Sequence, residues 1–456
     1  MCDKDKINDE CEEFETEISL DTTFTFPRNL SEHYILGKYL VIAPEQANWL
    51  VCDDDEYAAF CIFRQGKSIQ ETEAQLNIAT DRARLVVSRL IAQIIGKEFL
   101  QDAAITERSI FRIAALYLTD ACNLRCSTCV WSCTVAGPNE CTFHHWVKFM
   151  NAFKDIGGQV VVVTGGEPLL NHDCPKVIQH AKEIGLKVLL LTNGTLITNK
   201  NAKFLGENCD QIRVSIDGPN AKTHEAVRGK GTFEKAISAL RELSPYSQCN
   251  LTIAMTPTPA NIPSFQTNLR RFSKWVWKEI SPNISFEVTG RLMEGRKVPR
   301  MSKPEKRAFR RCVCSFCNDQ LGRDFIQKMN AVNVTPNRRA PLCGFSEKVS
   351  VLANGNVGVC IFAPGPLCNI KNMGDEGDKV FISNLAKKVR QLAESTSIEN
   401  LYPCADCDIR YFCGGKCREE NRADCGNPNI CECDEIFRNE WYEELVRINS
   451  YVVEPL

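Results

Sequence analysis

No apolar run in the 456 residues approaches the roughly 18 needed to span a bilayer. The first 17 residues are rich in Asp and Glu and have no apolar segment, which argues against a signal peptide. Nor is one sign of charge in excess: 55 Lys and Arg stand against 57 Asp and Glu, a net charge of −2. Such a balance gives no reason to expect nucleic acid or a membrane as partner. These absences together point to a cytoplasmic protein. Apolar content of 44% and charged content of 25% are ordinary for a globular chain. The length allows roughly two to four domains.

Cysteine is what the chain has in plenty, 25 in all. In a reducing compartment, closely spaced cysteines read as metal or cluster ligands rather than disulfides. Cys61, Cys209 and Cys249, in or beside apolar segments, read instead as buried free thiols. The most telling run is Asp120-Ala-Cys-Asn-Leu-Arg-Cys-Ser-Thr-Cys129. Its spacing is C-x3-C-x2-C, and it follows the apolar run Ile113–Leu118. Three thiolates on one loop can hold three corners of a [4Fe–4S] cluster and leave one iron open to a further ligand. A structural zinc site is the alternative reading of three thiols. Cys133 lies one residue too far on to extend the series.

Residues 1–24 are polar and acidic and read as a disordered tail. Residues 25–105 read as a winged-helix-like α+β unit. Strands are expected at Tyr34–Ile42 and Ala47–Val51. Asp53 to Asp55 can cap a helix through Phe63, closed near Gly66. Ser68 and Glu71 have capping-box spacing for a second helix. Thr80 opens a third, with Leu85, Val86, Leu90, Ile91 and Ile94 along one stripe.

From about residue 106 to 300, apolar runs alternate with helical stretches. The runs are Ile113–Leu118, Gln159–Thr164, Lys187–Thr192, Gln211–Ile216, Asn250–Thr256 and Ile284–Val288. Near-continuous apolar strands with helical crossovers mean an α/β parallel sheet buried on both faces. Six units are too few for a closed eight-fold barrel, so an open, partial (β/α)6 barrel is expected. Active sites of barrels lie at the C-terminal strand ends. Four unusual stretches fall there in register: the cysteine loop, Gly165-Gly166-Glu167-Pro168, Thr192-Asn193-Gly194-Thr195 and Ser215-Ile216-Asp217-Gly218.

These motifs resemble the radical S-adenosylmethionine (SAM) superfamily. The resemblance implies that Cys122, Cys126 and Cys129 hold a [4Fe–4S] cluster whose open iron chelates SAM. Reductive cleavage of SAM would then give a 5′-deoxyadenosyl radical that abstracts hydrogen from a substrate. It also implies SAM contacts from Gly165, Gly166, Glu167 and Pro168 toward the amino group, and from Asn193, Ser215 and Asp217 at the next two strand ends. Arg228 suits the SAM carboxylate, because a guanidinium binds carboxylates bidentately. The N-terminal unit is similar to the PqqD-like peptide-recognition domain of enzymes that modify ribosomally made peptides. Such a unit can take up a leader peptide as an added strand.

Residues 301–456 carry Cys343-x11-Gly355-x4-Cys360, then Cys404-x2-Cys407-x5-Cys413-x3-Cys417, with Cys425, Cys431 and Cys433 beyond. The spacing resembles the SPASM extension, which implies two auxiliary [4Fe–4S] clusters; a zinc ribbon is the alternative. Cys343, Cys360 and Cys417 would serve the first cluster. Cys404, Cys407 and Cys413 would serve the second, with Cys431 ahead of Cys433 or Cys425 as its fourth ligand. No cysteine stands near Asn337 and Arg338, where some family members have one. The first auxiliary cluster would therefore have an open iron, or take a ligand from Cys312, Cys314 or Cys317. The resemblance implies a peptide maturase acting on a leader-bearing precursor, with a low-potential donor such as ferredoxin or flavodoxin. The product would be a crosslink such as a thioether. An anaerobic sulfatase-maturase-like enzyme and a zinc-binding scaffold are the alternatives.

Overall fold

The computed structural model describes residues 18–100, 111–246, 248–290, 292–321, 348–361, 365–374 and 378–452. Strands β1 (Ser31–Ile35), β2 (Lys38–Ala43) and β3 (Asn48–Cys52) form an antiparallel sheet in that order. The single strand expected over Tyr34–Ile42 is in fact a hairpin. It reverses at Leu36 and Gly37, which have φ of 53° and 74°. A left-handed leucine is uncommon, so Gly37 was the one residue type that marked the turn.

Helix α1 (Asp54–Phe63) starts from Asp53, whose carboxylate accepts from Glu56 N at 2.9 Å while Glu56 reaches back to Asp53 N. Ser68 and Glu71 form a second reciprocal pair at the start of α2 (Ile69–Gln75). Helix α3 (Thr80–Gly96) buries Val86, Val87, Leu90 and Ile94. Leu85, expected in that stripe, is 58% exposed; it lies about 100° round the helix from Val86. The helices cover one face of the sheet, where Val41, Leu50 and Cys52 meet Phe60, Phe63 and Leu90.

The main sheet holds β4 (Ile113–Tyr117), β5 (Val160–Thr164), β6 (Lys187–Thr192), β7 (Gln211–Ser215), β8 (Asn250–Met255) and β9 (Ser285–Val288), parallel and in sequence order. Crossovers are α4 (Phe143–Asp155), α5 (Cys174–Glu183), α6 (Asn199–Asn208), α7 (Ala221–Arg228), α8 (Thr232–Leu243) and α9 (Ile262–Glu279). The strands are apolar because both faces are covered: Ala114, Leu116, Val161, Val163, Val188, Leu190, Ile212, Val214 and Ile253 all lie in one core. This is the partial barrel that the sequence predicts.

The last third of the chain also joins this sheet. After α10 (Lys303–Leu321), strand β10 (Lys348–Val351) pairs in parallel with β4, Lys348 opposite Ile113. Strands β11 (Asn356–Gly358) and β12 (Cys368–Asn369) follow antiparallel. Helices α11 (Asp378–Ser395), α12 (Arg410–Cys413), α13 (Arg418–Cys425) and α14 (Glu435–Val452) complete the described chain. The second face of the small sheet packs here: Leu40, Ile42, Trp49 and Val51 meet Ile409, Phe412, Phe437, Trp441, Tyr442 and Leu445. No helix among the described residues is long and apolar enough to cross a membrane.

Candidate active site and cysteine centres

The loop after β4 carries Cys122, Cys126 and Cys129, all half-buried free thiols. It is held from three sides. Ser127 N donates to Val227 O in α7 at 2.9 Å. Arg296 N and Lys297 N donate to Cys129 O and Ser127 O at 2.9 and 2.8 Å. On the third side, Gly166 N and Glu167 N donate to Thr119 O and Ala121 O at 2.7 and 2.8 Å. That last contact explains the glycine pair. A Cβ on Gly165 would stand 2.6 Å from Thr119 O, and one on Gly166 only 2.2 Å from Ala121 O; Gly165 also has a φ of 150°. The glycines let β5 approach the cysteine loop of the same chain.

Glu167 is fully buried and accepts from Thr192 Oγ1 (2.7 Å), Asn193 N (2.8 Å) and Leu169 N (3.3 Å). Burial raises its pKa, and those donors oppose the rise. Pro168 is the first residue of a short 3-10 turn behind it. Asn193 Nδ2 donates to Asn123 Oδ1 inside the cysteine loop at 2.9 Å, and Asn123 Nδ2 donates to Thr195 Oγ1 at 2.9 Å. Asn123 and Thr195 were not singled out by the sequence, although both lie within motifs that were.

Ser215 ends β7, half-buried. Asp217 is fully buried: Oδ2 accepts from Arg228 Nε at 2.7 Å and Oδ1 from Thr256 N at 2.9 Å. His224 Nδ1 accepts from Asp217 N at 3.2 Å, and burial lowers His224 to about 4, so its ring is neutral. Burial disfavours the charge on Arg228, but Asp217, Cys126 and Cys122 outweigh it and raise the pKa. Thus Glu167 and Asp217 bind protein donors with both oxygens, and Arg228 is the cation standing between Asp217 and the cysteines.

Burial raises Cys122 and Cys126, with Arg228 opposing it at both. Cys129 is lowered to about 5, chiefly because Cys133 donates to its sulfur and the Arg296 charge lies near. Thiols kept protonated by burial become thiolates when a metal supplies the missing positive charge. Among the described residues no three His, Cys, Asp or Glu side chains converge as ligands of a single ion do. In a cubane each thiolate holds a different iron, so its ligands need not meet at one point. The donor set fits a cluster on those grounds.

A second gathering lies in the C-terminal lobe. The Cys431 thiol is hydrogen-bonded with that of Cys404, and Cys407 and Cys413 act on Cys404 as well. Burial pushes Cys413 and Cys433 up to about 11; Cys431 acts on both, and Cys413 on Cys433. Five thiols are therefore brought together, Cys433 as well as Cys431. Cys417 is the N-cap of α13. Cys360 lies beside Tyr117 at the end of β4, and its charge adds to the burial that lifts Tyr117 to about 12. Gly355 makes the β10–β11 turn at φ 90°; a Cβ there would meet Asn369 Oδ1 at 2.6 Å and Cys141 Sγ at 3.1 Å. Cys343, Asn337 and Arg338 lie outside the described residues, as does the side chain of Cys314. All cysteines among the described residues are free. Cys209 and Cys249 are buried, as expected, while Cys61 is only half-buried.

Residues 116–259 match the radical SAM superfamily. Over 34% of its length the chain is 32% identical to an AdoMet-dependent heme synthase of Oleidesulfovibrio alaskensis, covering 40% of that protein. Over 32% it is 32% identical to the mycofactocin maturase MftC of Mycolicibacterium smegmatis, covering 37%. The chain thus spans about two fifths of each of these two curated relatives. Two solved structures share its fold. SuiB of Streptococcus suis bound to S-adenosylmethionine has a TM-score of 0.51 at 14% identity, covering 90% of this chain and 100% of that one. AnSMEcpe with bound AdoMet and a Cp18Cys peptide has 0.54 at 19%, covering 75% and 98%. The chain carries a radical SAM domain.

Proposed function

We propose that this chain is a cytoplasmic radical SAM peptide maturase that takes hydrogen from a residue of a ribosomally made precursor, with a crosslink such as a thioether as product. The observation that carries the reading is the combination in one chain of the cysteine loop, the five-thiol lobe and a strand module docked on that lobe. Similarity over 90% of the chain to SuiB, which has also been solved bound to its precursor peptide SuiA, supports it. The fold shared with anSMEcpe keeps a sulfatase-maturase-like activity as the second reading.

Cys122, Cys126 and Cys129 would hold the [4Fe–4S] cluster, and Cys404, Cys407 and Cys413 with Cys431 an auxiliary one. Cys343, Cys360 and Cys417 would serve another. When bound, the cluster and SAM supply one-electron cleavage of a sulfonium carbon–sulfur bond and hydrogen abstraction; a ferredoxin or flavodoxin would deliver the electron. The protein's own part is placement. The carbonyls of Gly165 and Gly166 accept no hydrogen bond among the described residues and suit the SAM amino group. Arg228 donates only its Nε to Asp217, which leaves its terminal nitrogens for a carboxylate. Glu167, Asp217 and Asn193 brace these groups rather than touching SAM, and Ser215 at the end of β7 suits its sugar.

The module would take the precursor as an added strand on β1. The edge of β3 is closed: Gln93 bonds both Val51 N and Val51 O, and Lys97 Nζ bonds Trp49 O. Among the described residues strand β1 has no strand beyond it, and Tyr34 within it is 60% exposed.

The test is co-expression with short peptides encoded beside this gene. Loss of hydrogen from such a peptide by mass spectrometry, absent with Cys126→Ala, is the expected result. Equal release of 5′-deoxyadenosine from SAM by wild type and Cys126→Ala would remove the loop from the reaction.

A further inference from the structure

Beyond the sheet, the chain turns back over the cysteine loop at residues 294–298. Gly295 and Val298 exchange backbone hydrogen bonds at 2.9 and 3.1 Å, closing a tight turn. The turn presses on the loop so closely that a Cβ on Gly295 would stand 2.7 Å from Thr128 O. Arg296, inside the turn, makes two contacts with the loop: its backbone N donates to Cys129 O at 2.9 Å, and Nη2 donates to Cys133 O at 2.7 Å. Its other terminal nitrogen, Nη1, is buried and has no acceptor among the described residues. A buried charged donor without a partner is strongly disfavoured. No carboxylate is paired with Arg296 among the described residues, whereas Arg228 has Asp217.

We infer that Arg296 is a positioning residue for the site cluster, its Nη1 donating to a sulfur anion at the Cys129 corner. The inference rests on the proposed function, since the acceptor is the cluster's thiolate or sulfide. The loop anion on which the Arg296 charge acts is the Cys129 sulfur. The fork geometry lets one guanidinium hold the Cys133 carbonyl and the sulfur together, which an ammonium cannot do with the same spacing. Hydrogen bonds and positive charge at cluster sulfurs raise the reduction potential. Arg296 would therefore ease reduction of this one cluster, leaving those of the C-terminal lobe untouched.

The experiment is an EPR-monitored redox titration of anaerobically reconstituted full-length protein, following the signal that changes on adding SAM. Arg296→Gln and Arg296→Lys keep the backbone bonds of residues 296 and 297, so the loop stays tethered. The expected result is full iron content with the midpoint shifted negative in both, further for Gln than for Lys, and unshifted midpoints for the other signals. A midpoint equal to wild type in whichever variant loads iron overturns the inference, and so does an equal shift of every cluster. Absence of any SAM-sensitive signal in wild type would instead overturn the proposed function.

Discussion

Lys97 is 2% exposed, with its ammonium 4.3 Å from the Trp49 ring centroid and donating to Trp49 O and Asn449 Oδ1. Burial pulls its pKa down to about 7, whereas a lysine in an unfolded chain stays near about 10.4. Between about pH 7 and 9 the unfolded state keeps a proton that the folded state has released, so stability rises with pH by at most about 1.4 kcal/mol per unit. Above that window Cys52 acts in the opposite sense. Burial pushes its folded pKa up, so the unfolded thiol ionises first and stability falls. Lys97→Met should flatten the rise between pH 7 and 9, as read by denaturant unfolding of both proteins. Identical slopes would remove Lys97 as its source.

At the scale of elements, the barrel strands were legible because burial on both faces demands runs such as Val160–Thr164 and Lys187–Thr192. The helix starts at Asp53 and Ser68 were legible because a capping box is local chemistry. The β1–β2 turn was marked only by the single Gly37, because Leu36 carries no mark of the left-handed conformation it adopts. Strand β10 was not legible: its place beside β4 is a pairing more than 200 residues apart in the chain, and no local pattern encodes that. At the site the motifs were legible but not their division of labour. The strand ends that carry Glu167 and Asp217 could be read from the chain, but not the bonds these carboxylates accept from Asn193 N and Thr256 N on neighbouring strand ends. The same bookkeeping of backbone partners separates the two edges of the small sheet. Hydrogen exchange on full-length protein with a co-encoded precursor peptide should slow the amides of Ser31–Ile35 and leave those of Asn48–Cys52 unchanged. Protection confined to β3 would place the peptide on the other edge; protection confined to the barrel would leave the module without a peptide role.

For the whole molecule, the module and the five-thiol lobe are packed on each other. Asp408, directly after Cys407, accepts from Ser31 Oγ and His33 Nε2 at 2.7 Å each and from Tyr442 OH at 3.0 Å. Trp49 Nε1 donates to Leu445 O at 3.1 Å, and its ring meets Phe412 edge-on at 5.4 Å. Arg410 pairs with Glu45. Deleting residues 1–105 would therefore strip cover from Phe412, Trp441 and Leu445 as well as removing a peptide grip, so truncation is a poor probe of leader binding. The coupling should also run in reverse, because ligation of the thiols would fix the loop on which β1 rests. Cys404→Ala with Cys407→Ala should cost about four irons per chain and loosen a module whose own sequence is unchanged. Limited proteolysis would show it as faster cleavage between residues 18 and 100, with the radical SAM domain at 116–259 cut no faster. If the module of that variant resists protease as wild type does, it is held by its apolar contacts alone, and the cluster lobe does not govern its docking.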